Sequence, residues 1–261
     1  MESSLIEKMR INRQMRLICL WCAIPMMVLL FGGLTISGFI SPIHPSASAA
    51  EVAHQYRTNT DAIRIGLAIS FAGVIFLLPF GAAIAAQTRR IESLPSVLTY
   101  TQTAAFAAGS LIFVIPWVCW QTAAFRPERA DSEILLLNDL GWICFVFAYV
   151  AFTTWLFAIG LAILSDTGKN PVYPRWLGYY NFFVALTFIP DNLIPFFKTG
   201  PFDWRGVFPY WFPFAMYGIW ILVMVVQTVK SINRETAGEQ AEPRTAEDAH
   251  PDPARLARTA T

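Results

Sequence analysis

The sequence predicts an all-α fold: a polytopic transmembrane bundle of six helices with both termini in the cytoplasm. Three observations carry that expectation. Only 14% of the 261 residues are charged and 55% are hydrophobic, whereas soluble domains run near a quarter charged. Long apolar runs recur along the chain, and about 20 apolar residues suffice to cross a bilayer as a helix. Basic residues collect on alternate connections between those runs, which fixes the cytoplasmic side.

The elements follow in order. Residues 1–16 carry Lys8, Arg10, Arg13 and Arg16 on a basic, polar cytoplasmic lead. The first apolar run, Leu17 to Ile40, is too long for the core of a cleaved signal, and the small residues at 46–50 lie too far beyond it, so it reads as an uncleaved first helix. The outer loop 41–61 contains a short surface-helix pattern from Ala47 to Thr60. The second helix spans about Ala62 to Ala86 and the third about Pro95 to Trp120. A charged outer loop, Gln121 to Glu133, leads to a fourth helix, Ile134 to Leu164, longer than a bilayer requires. The fifth runs from Tyr173 to Phe197 and the sixth from Val207 to Val229. The six-helix domain thus occupies 17–229. The tail 230–261 is polar, without an apolar face, and reads as a disordered cytoplasmic segment.

Prolines punctuate five of the six runs: Pro25, Pro79, Pro116, Pro190 with Pro195, and Pro213. An interior proline removes a backbone hydrogen bond and kinks its helix. These kinks serve ordinary packing, or they lie at similar depth and open a cavity. The fourth helix lacks proline and is expected to be the straight post.

The candidate site residues are Arg57, Asp61, Arg64, Asn138, Asp139, Asp191 and Asn192, all placed by this topology on the outer side. The inner half offers only Gln102 and Asn181. Charged groups inside a membrane cost several kcal/mol unless they pair or meet water. One reading is therefore a structural clasp in which Arg64 pairs with Asp139 or Asp191. The other is the polar floor of an outward-open pocket, with Arg57 or Arg64 against an anionic headgroup or carboxylate. His44 and His54 with Asp61 or Asp139 form a third option, a metal site, although no tight pair such as HExxH is present. Trp117, Trp120, Trp204, Tyr210 and Trp211 are among the aromatics expected at an outer interfacial belt or vestibule.

Several classes are excluded or disfavoured. A net charge of +1 gives no bulk-charge basis for nucleic-acid binding. No GxSxG, P-loop or GxGxxG appears. The helices hold no histidine pair for haem b. Cys19 and Cys22 have CxxC spacing but, like Cys119 and Cys144, lie in apolar runs and read as small buried hydrophobes. No cofactor and no catalytic residue is assigned.

The stretch GLAILSDTGKNPVYPRWLG (160–178), with Pro174-Arg175-Trp176-Leu177-Gly178 opening the fifth helix, resembles a bacterial family of six-pass membrane proteins, the DUF4386-like group. Ala62-Ile63-Arg64-Ile65-Gly66-Leu67 is similar to the arginine-glycine start of that family's second helix. The similarity covers about 55–190, and the chain departs from the pattern in its first helix and after Pro190. What the resemblance implies is architecture, a small all-helical inner-membrane protein. The family supplies no established activity, so no functional residue carries over.

The leading functional expectation is a non-enzymatic binding or accessory protein in the bacterial cytoplasmic membrane. Its partners would be membrane lipids or an amphipathic, lipid-like molecule held at the outer leaflet. The alternatives are a membrane enzyme with Asp139 or Asp191 as general base, and a small transporter. The transporter ranks last because 17–120 and 134–229 show no inverted repeat.

Overall fold

The structure is a computed structural model that describes residues 2–248, with side chains from 10 to 235. Eleven α-helices make up its regular structure among the described residues. They are α1 (Glu2–Trp21), α2 (Ala23–Ile36), α3 (Ala49–Thr58), α4 (Thr60–Gly73), α5 (Leu77–Thr88), α6 (Val97–Gly109), α7 (Leu111–Phe125), α8 (Asp131–Val146), α9 (Val150–Ser165), α10 (Arg175–Thr187) and α11 (Phe212–Asp248). A 310 turn at Val74–Phe76 joins α4 to α5, a 310 segment at Ile189–Phe196 follows α10, and a π turn at Val207–Trp211 precedes α11.

Among the described residues, five nearly continuous helical stretches are long and apolar enough to cross a membrane: Arg10–Ile36, Thr60–Thr88, Val97–Phe125, Asp131–Ser165 and Val207–Glu235. The protein is accordingly a multi-pass membrane protein. The expected fifth helix is not one of these stretches. It is α10 for its first half and a 310 segment for its second. Pro190 and Pro195 cannot donate to an α-helical ladder, and the tighter 310 winding takes over where they stand.

Consecutive stretches pack side by side: α2 on α4, α4 on α7, α6 on α9, α9 on α10, and α10 on α11. The last returns to the first through α11 on α1, which closes a ring. The closest approach is between α2 and α4. A Cβ on Gly33 would overlap the Gly66 carbonyl oxygen and the Ser70 nitrogen, so only glycine lets these backbones meet. Ser70 Oγ donates to the Leu30 carbonyl at 2.9 Å across the same seam.

The two ends of the ring are named here by their arginines. At the Arg64 end, α3 caps the bundle as the sequence predicts. Ser48 and Glu51 form a capping box at its start, and Val52, Ala53 and Tyr56 are buried beneath it. At the Arg16 end, α11 runs well past Val229. Ser231 and Ile232 are buried, so the tail does not become disordered at Lys230. The helical backbone continues to Asp248; 249–261 lie outside the described residues.

Two further expectations are corrected. The fourth stretch is not one unbroken helix: its winding is interrupted at Phe147–Tyr149, between α8 and α9, without a proline. Trp117 and Trp120 are not at an interfacial belt. They are buried in an aromatic core with Phe39, Trp142 and Phe145, with Trp120 and Trp142 rings 4.6 Å apart. Trp204 and Tyr210 are likewise buried, and they tie the chain before α11 to the first connection by donating to the Ile43 and Ile40 carbonyls, both at 3.0 Å.

Candidate functional site

The predicted site residues do not converge on one chamber. They separate into three places, each with its own physical logic.

Arg57 and Arg64 hold the second loop. The last carbonyls of a helix lack intrahelical partners and carry partial negative charge. Arg64 Nε and Nη2 donate to the Ala124 and Phe125 carbonyls at the end of α7, both at 3.0 Å. Its remaining contact is a 3.8 Å approach to the exposed Asp61. Arg57 donates to the Pro127 and Arg129 carbonyls at 2.8 and 2.9 Å and pairs with Asp131 at 2.7 Å. Neither arginine meets Asp139 or Asp191. The clasp exists, but apart from Asp131 and the more distant Asp61 its acceptors are backbone carbonyls, which carry no signature in a charge pattern. Arg64 also sits on the rim of a surface groove of about 610 Å³ walled by Phe71, Trp117, Val118 and Phe125.

Asn138 and Asp139 form a second group, under α3. The Tyr56 hydroxyl donates to Asn138 Oδ1 at 3.4 Å, and Asn138 Nδ2 donates to Asp139 Oδ1 at 3.2 Å. Burial, reinforced by the charge of Asp139, pushes the Tyr56 phenol well above its ordinary range, so it remains a neutral donor. The proposed histidine–carboxylate set is not assembled: among the described residues no three His, Cys, Asp or Glu side chains are grouped to hold a metal ion. His54 instead lies 3.5 Å from Thr58.

Asp191 and Asn192 part company. Asn192 Nδ2 donates to the Tyr149 hydroxyl and to the Ile189 carbonyl. Asp191 turns inward. It is 2% exposed, and among the described residues its Oδ1 has no hydrogen-bond partner. The sequence reads Asp191 and Asn192 together near the outer end of the fifth run, and the fold sends the two side chains different ways. The 310 segment decides this, because its three-residue turn aims neighbouring positions 191 and 192 about 120° apart.

Asp191 lines a cavity of about 90 Å³ at the centre of the ring. The helix breaks meet there. Leu77 follows the 310 turn of the second stretch, Ile112 follows the α6–α7 break, Tyr149 sits at the α8–α9 break, and Phe188 precedes the 310 segment. Pro213 lines it just after the π turn. Interruptions of several stretches thus border one chamber, and the fourth stretch contributes a break that no proline announces. The walls are aromatic: Phe31 and Phe214 meet edge-on at 5.0 Å, Tyr210 and Phe214 stack at 5.4 Å, and Phe113 and Phe145 lie 6.0 Å apart. The Tyr217 hydroxyl on the same wall also has no partner among the described residues. Among the described residues no lysine, arginine or histidine lines the chamber.

The Arg16 end holds a network that the sequence pattern misses, and it overturns the expected one-sidedness of polar groups. Glu235 accepts from Arg16 at 2.7 Å and lies 3.0 Å from Arg90. Arg16 also donates to Gln87, whose amide donates to Ser231 at 2.8 Å. Beside it, the Tyr173 and Thr228 hydroxyls share a 2.8 Å bond, and Thr88 donates to Gln102 at 3.0 Å. Deeper in, Trp220 Nε1 donates to Asn181 at 2.9 Å. The available signal was Ser231 and Glu235, one helical turn apart and in phase with the preceding helix.

Comparison of the chain with protein-family models, with curated proteins and with solved structures gives no match. The reading of the site therefore rests on its geometry.

Proposed function

We propose that this protein is a membrane binding protein that holds an amphipathic small molecule within its helical ring, the molecule's polar end at Asp191. One observation carries the reading: a buried carboxyl with a free acceptor oxygen on the wall of an apolar chamber. A buried polar group without a partner costs free energy that a packed structural role does not return, and an intramembrane ionisable residue is by default a functional candidate. Binding is favoured over catalysis because, among the described residues, no histidine, lysine, cysteine, serine or second carboxyl lines the chamber beside Asp191. The setting proposed is a bacterial cytoplasmic membrane, with six crossings and both termini on the cytoplasmic side. The α10–310 segment makes the fifth crossing, since Tyr173 is tied to the Arg16 end and Trp204 to the Arg64 end. This is also the architecture that the DUF4386-like resemblance leads one to expect.

The test is to fill the chamber. Val146 lines it, and Val146→Phe adds a ring there. Mass spectrometry of small molecules extracted from purified wild type should show a species that the variant lacks. Identical extracts, with both proteins folded, would overturn the reading.

A second reading follows from the groove at Arg64: an anionic lipid headgroup lies against the guanidinium with its acyl chain along Phe71 and Val118. Its support is the position of Arg64 on the rim, facing only a distant, exposed carboxylate. Nanodiscs of phosphatidylglycerol should then raise the unfolding temperature relative to phosphatidylcholine, and Arg64→Gln should remove most of that difference. An undiminished difference in the variant rejects this reading.

A further inference from the structure

Resting on the chamber reading above, we propose that the polar end of the ligand is a protonated organic amine. Three features of the chamber agree on that sign of charge. The first is the acceptor. Asp191 Oδ1 is buried with no donor directed at it among the described residues, so a ligand group that donates a hydrogen bond completes the site. An ammonium would hold the Asp191 carboxyl ionised by pairing with it, whereas a carboxylate or phosphate beside the ionised group would set like charges a few ångströms apart where water does not screen them.

The second feature is the wall. The faces of aromatic rings carry negative potential and attract cations, most strongly where water is excluded. Phe31, Phe113, Phe145, Phe188, Tyr210 and Phe214 supply rings around the cavity. The rest of the wall is aliphatic, with Leu30, Leu34, Leu77, Ile112 and Val146 among it. The absence of any lysine, arginine or histidine among the lining residues leaves no countercharge for an anion and no internal partner for Asp191.

The third feature is size. A cavity of about 90 Å³ is several times the roughly 10–15 Å³ that one water needs on the same measure. That is room for a small alkylammonium head. The head would sit against Asp191, and its N–H would donate to Oδ1. Its apolar remainder would lie along the half-buried rings of Phe31, Tyr149 and Phe188. Pairing of the ammonium with the carboxylate cancels both charges inside the bundle, which is the condition under which charge is tolerated at that depth. The free Tyr217 hydroxyl offers a second acceptor for an amine that carries more than one N–H.

The experiment compares three probes of one shape and different charge on the full chain in nanodiscs at pH 7: dimethylbenzylamine, its neutral carbon analogue isobutylbenzene, and the anion phenylacetate. Binding is read by saturation-transfer NMR in wild type, Asp191→Asn and the chamber-filled Val146→Phe. The expected result is that the amine binds at least tenfold more tightly than either analogue. Asp191→Asn should remove that preference, leaving the neutral probe unchanged, and Val146→Phe should weaken both. If the amine and isobutylbenzene bind alike and Asp191→Asn changes neither, the amine assignment is wrong while the chamber reading stands. If phenylacetate binds best, the assigned sign is wrong. If no probe binds in a way that Val146→Phe weakens, the chamber reading itself fails and the inference falls with it.

Discussion

Glu235 and Asp191 are both carboxylates enclosed by this helical ring, and they are treated in opposite ways. Glu235 lies between two guanidiniums at 2.7 and 3.0 Å, with Gln87 and Ser231 extending the network. Asp191 has an oxygen with no partner and aromatic neighbours. The difference teaches where structure ends and function begins in this molecule. A polar group whose purpose is to join helices has its partners in the chain. Asp191 lacks them where several interrupted stretches border one cavity, and the proposed ligand would supply the missing donor.

That contrast can be broken or sharpened by substitution, and the largest effect belongs to the satisfied carboxylate. Glu235→Ala leaves Arg16 and Arg90 facing each other, partly buried, and removing one partner of a buried pair costs roughly 3 kcal/mol. Thermal unfolding in a fixed detergent should show a large drop; a change no greater than that of an exposed site would mean that the network is ornamental. Filling the chamber with Val146→Phe should cost about 1–3 kcal/mol, as overpacking does. A gain in stability would instead mark the chamber as a defect that the fold tolerates.

Asp191→Asn keeps the shape and removes the charge, so its stability should fall within about 1 kcal/mol of wild type. A loss comparable to that of Glu235→Ala would make Asp191 a structural residue and erase the contrast. A smaller effect distinguishes a half-buried carboxylate. Glu92 accepts from the Leu98 and Thr99 amides at the start of α6, at 2.8 and 2.7 Å. Burial raises its affinity for a proton, but the hydrogen bonds from Thr99 and Leu98, with the nearby Arg89, outweigh it and hold the group below its ordinary 4.5. Its contribution is therefore present above pH 4.5 and is lost as pH falls through the lower folded value. Glu92→Gln should lower stability by under about 1 kcal/mol at pH 7, with the gap to wild type closing in acid. Smallest of all, Tyr217→Phe removes a hydroxyl that bonds nothing in the described chain. It should change unfolding by less than about 0.5 kcal/mol.

The legible part of the candidate site was residue type, not arrangement. Arg57 and Arg64 were visible as charges that need partners, but most of their partners are the carbonyls at 124, 125, 127 and 129, which every residue possesses. Asp191 was visible as an intramembrane carboxyl, yet its direction depends on the 310 winding after α10. Glu235 was concealed by composition, because a polar tail and a helix end that docks on Arg16 look alike until the docking surface is known. The break at Phe147–Tyr149 has no proline or glycine to announce it, and it is the break that sets Tyr149 on the chamber wall.

By itself, the sequence determined that this chain is helical and membrane-embedded, where its apolar stretches run, which prolines would interrupt them, and that a short capped helix lies between the first two. Those features follow from hydropathy and from backbone chemistry local to a few residues. Only the tertiary structure decided which interruptions border one cavity, which polar groups find each other and which carboxyl is left facing that cavity. Such outcomes depend on how the helical stretches rotate and slide against one another, and packing between distant residues sets that rotation.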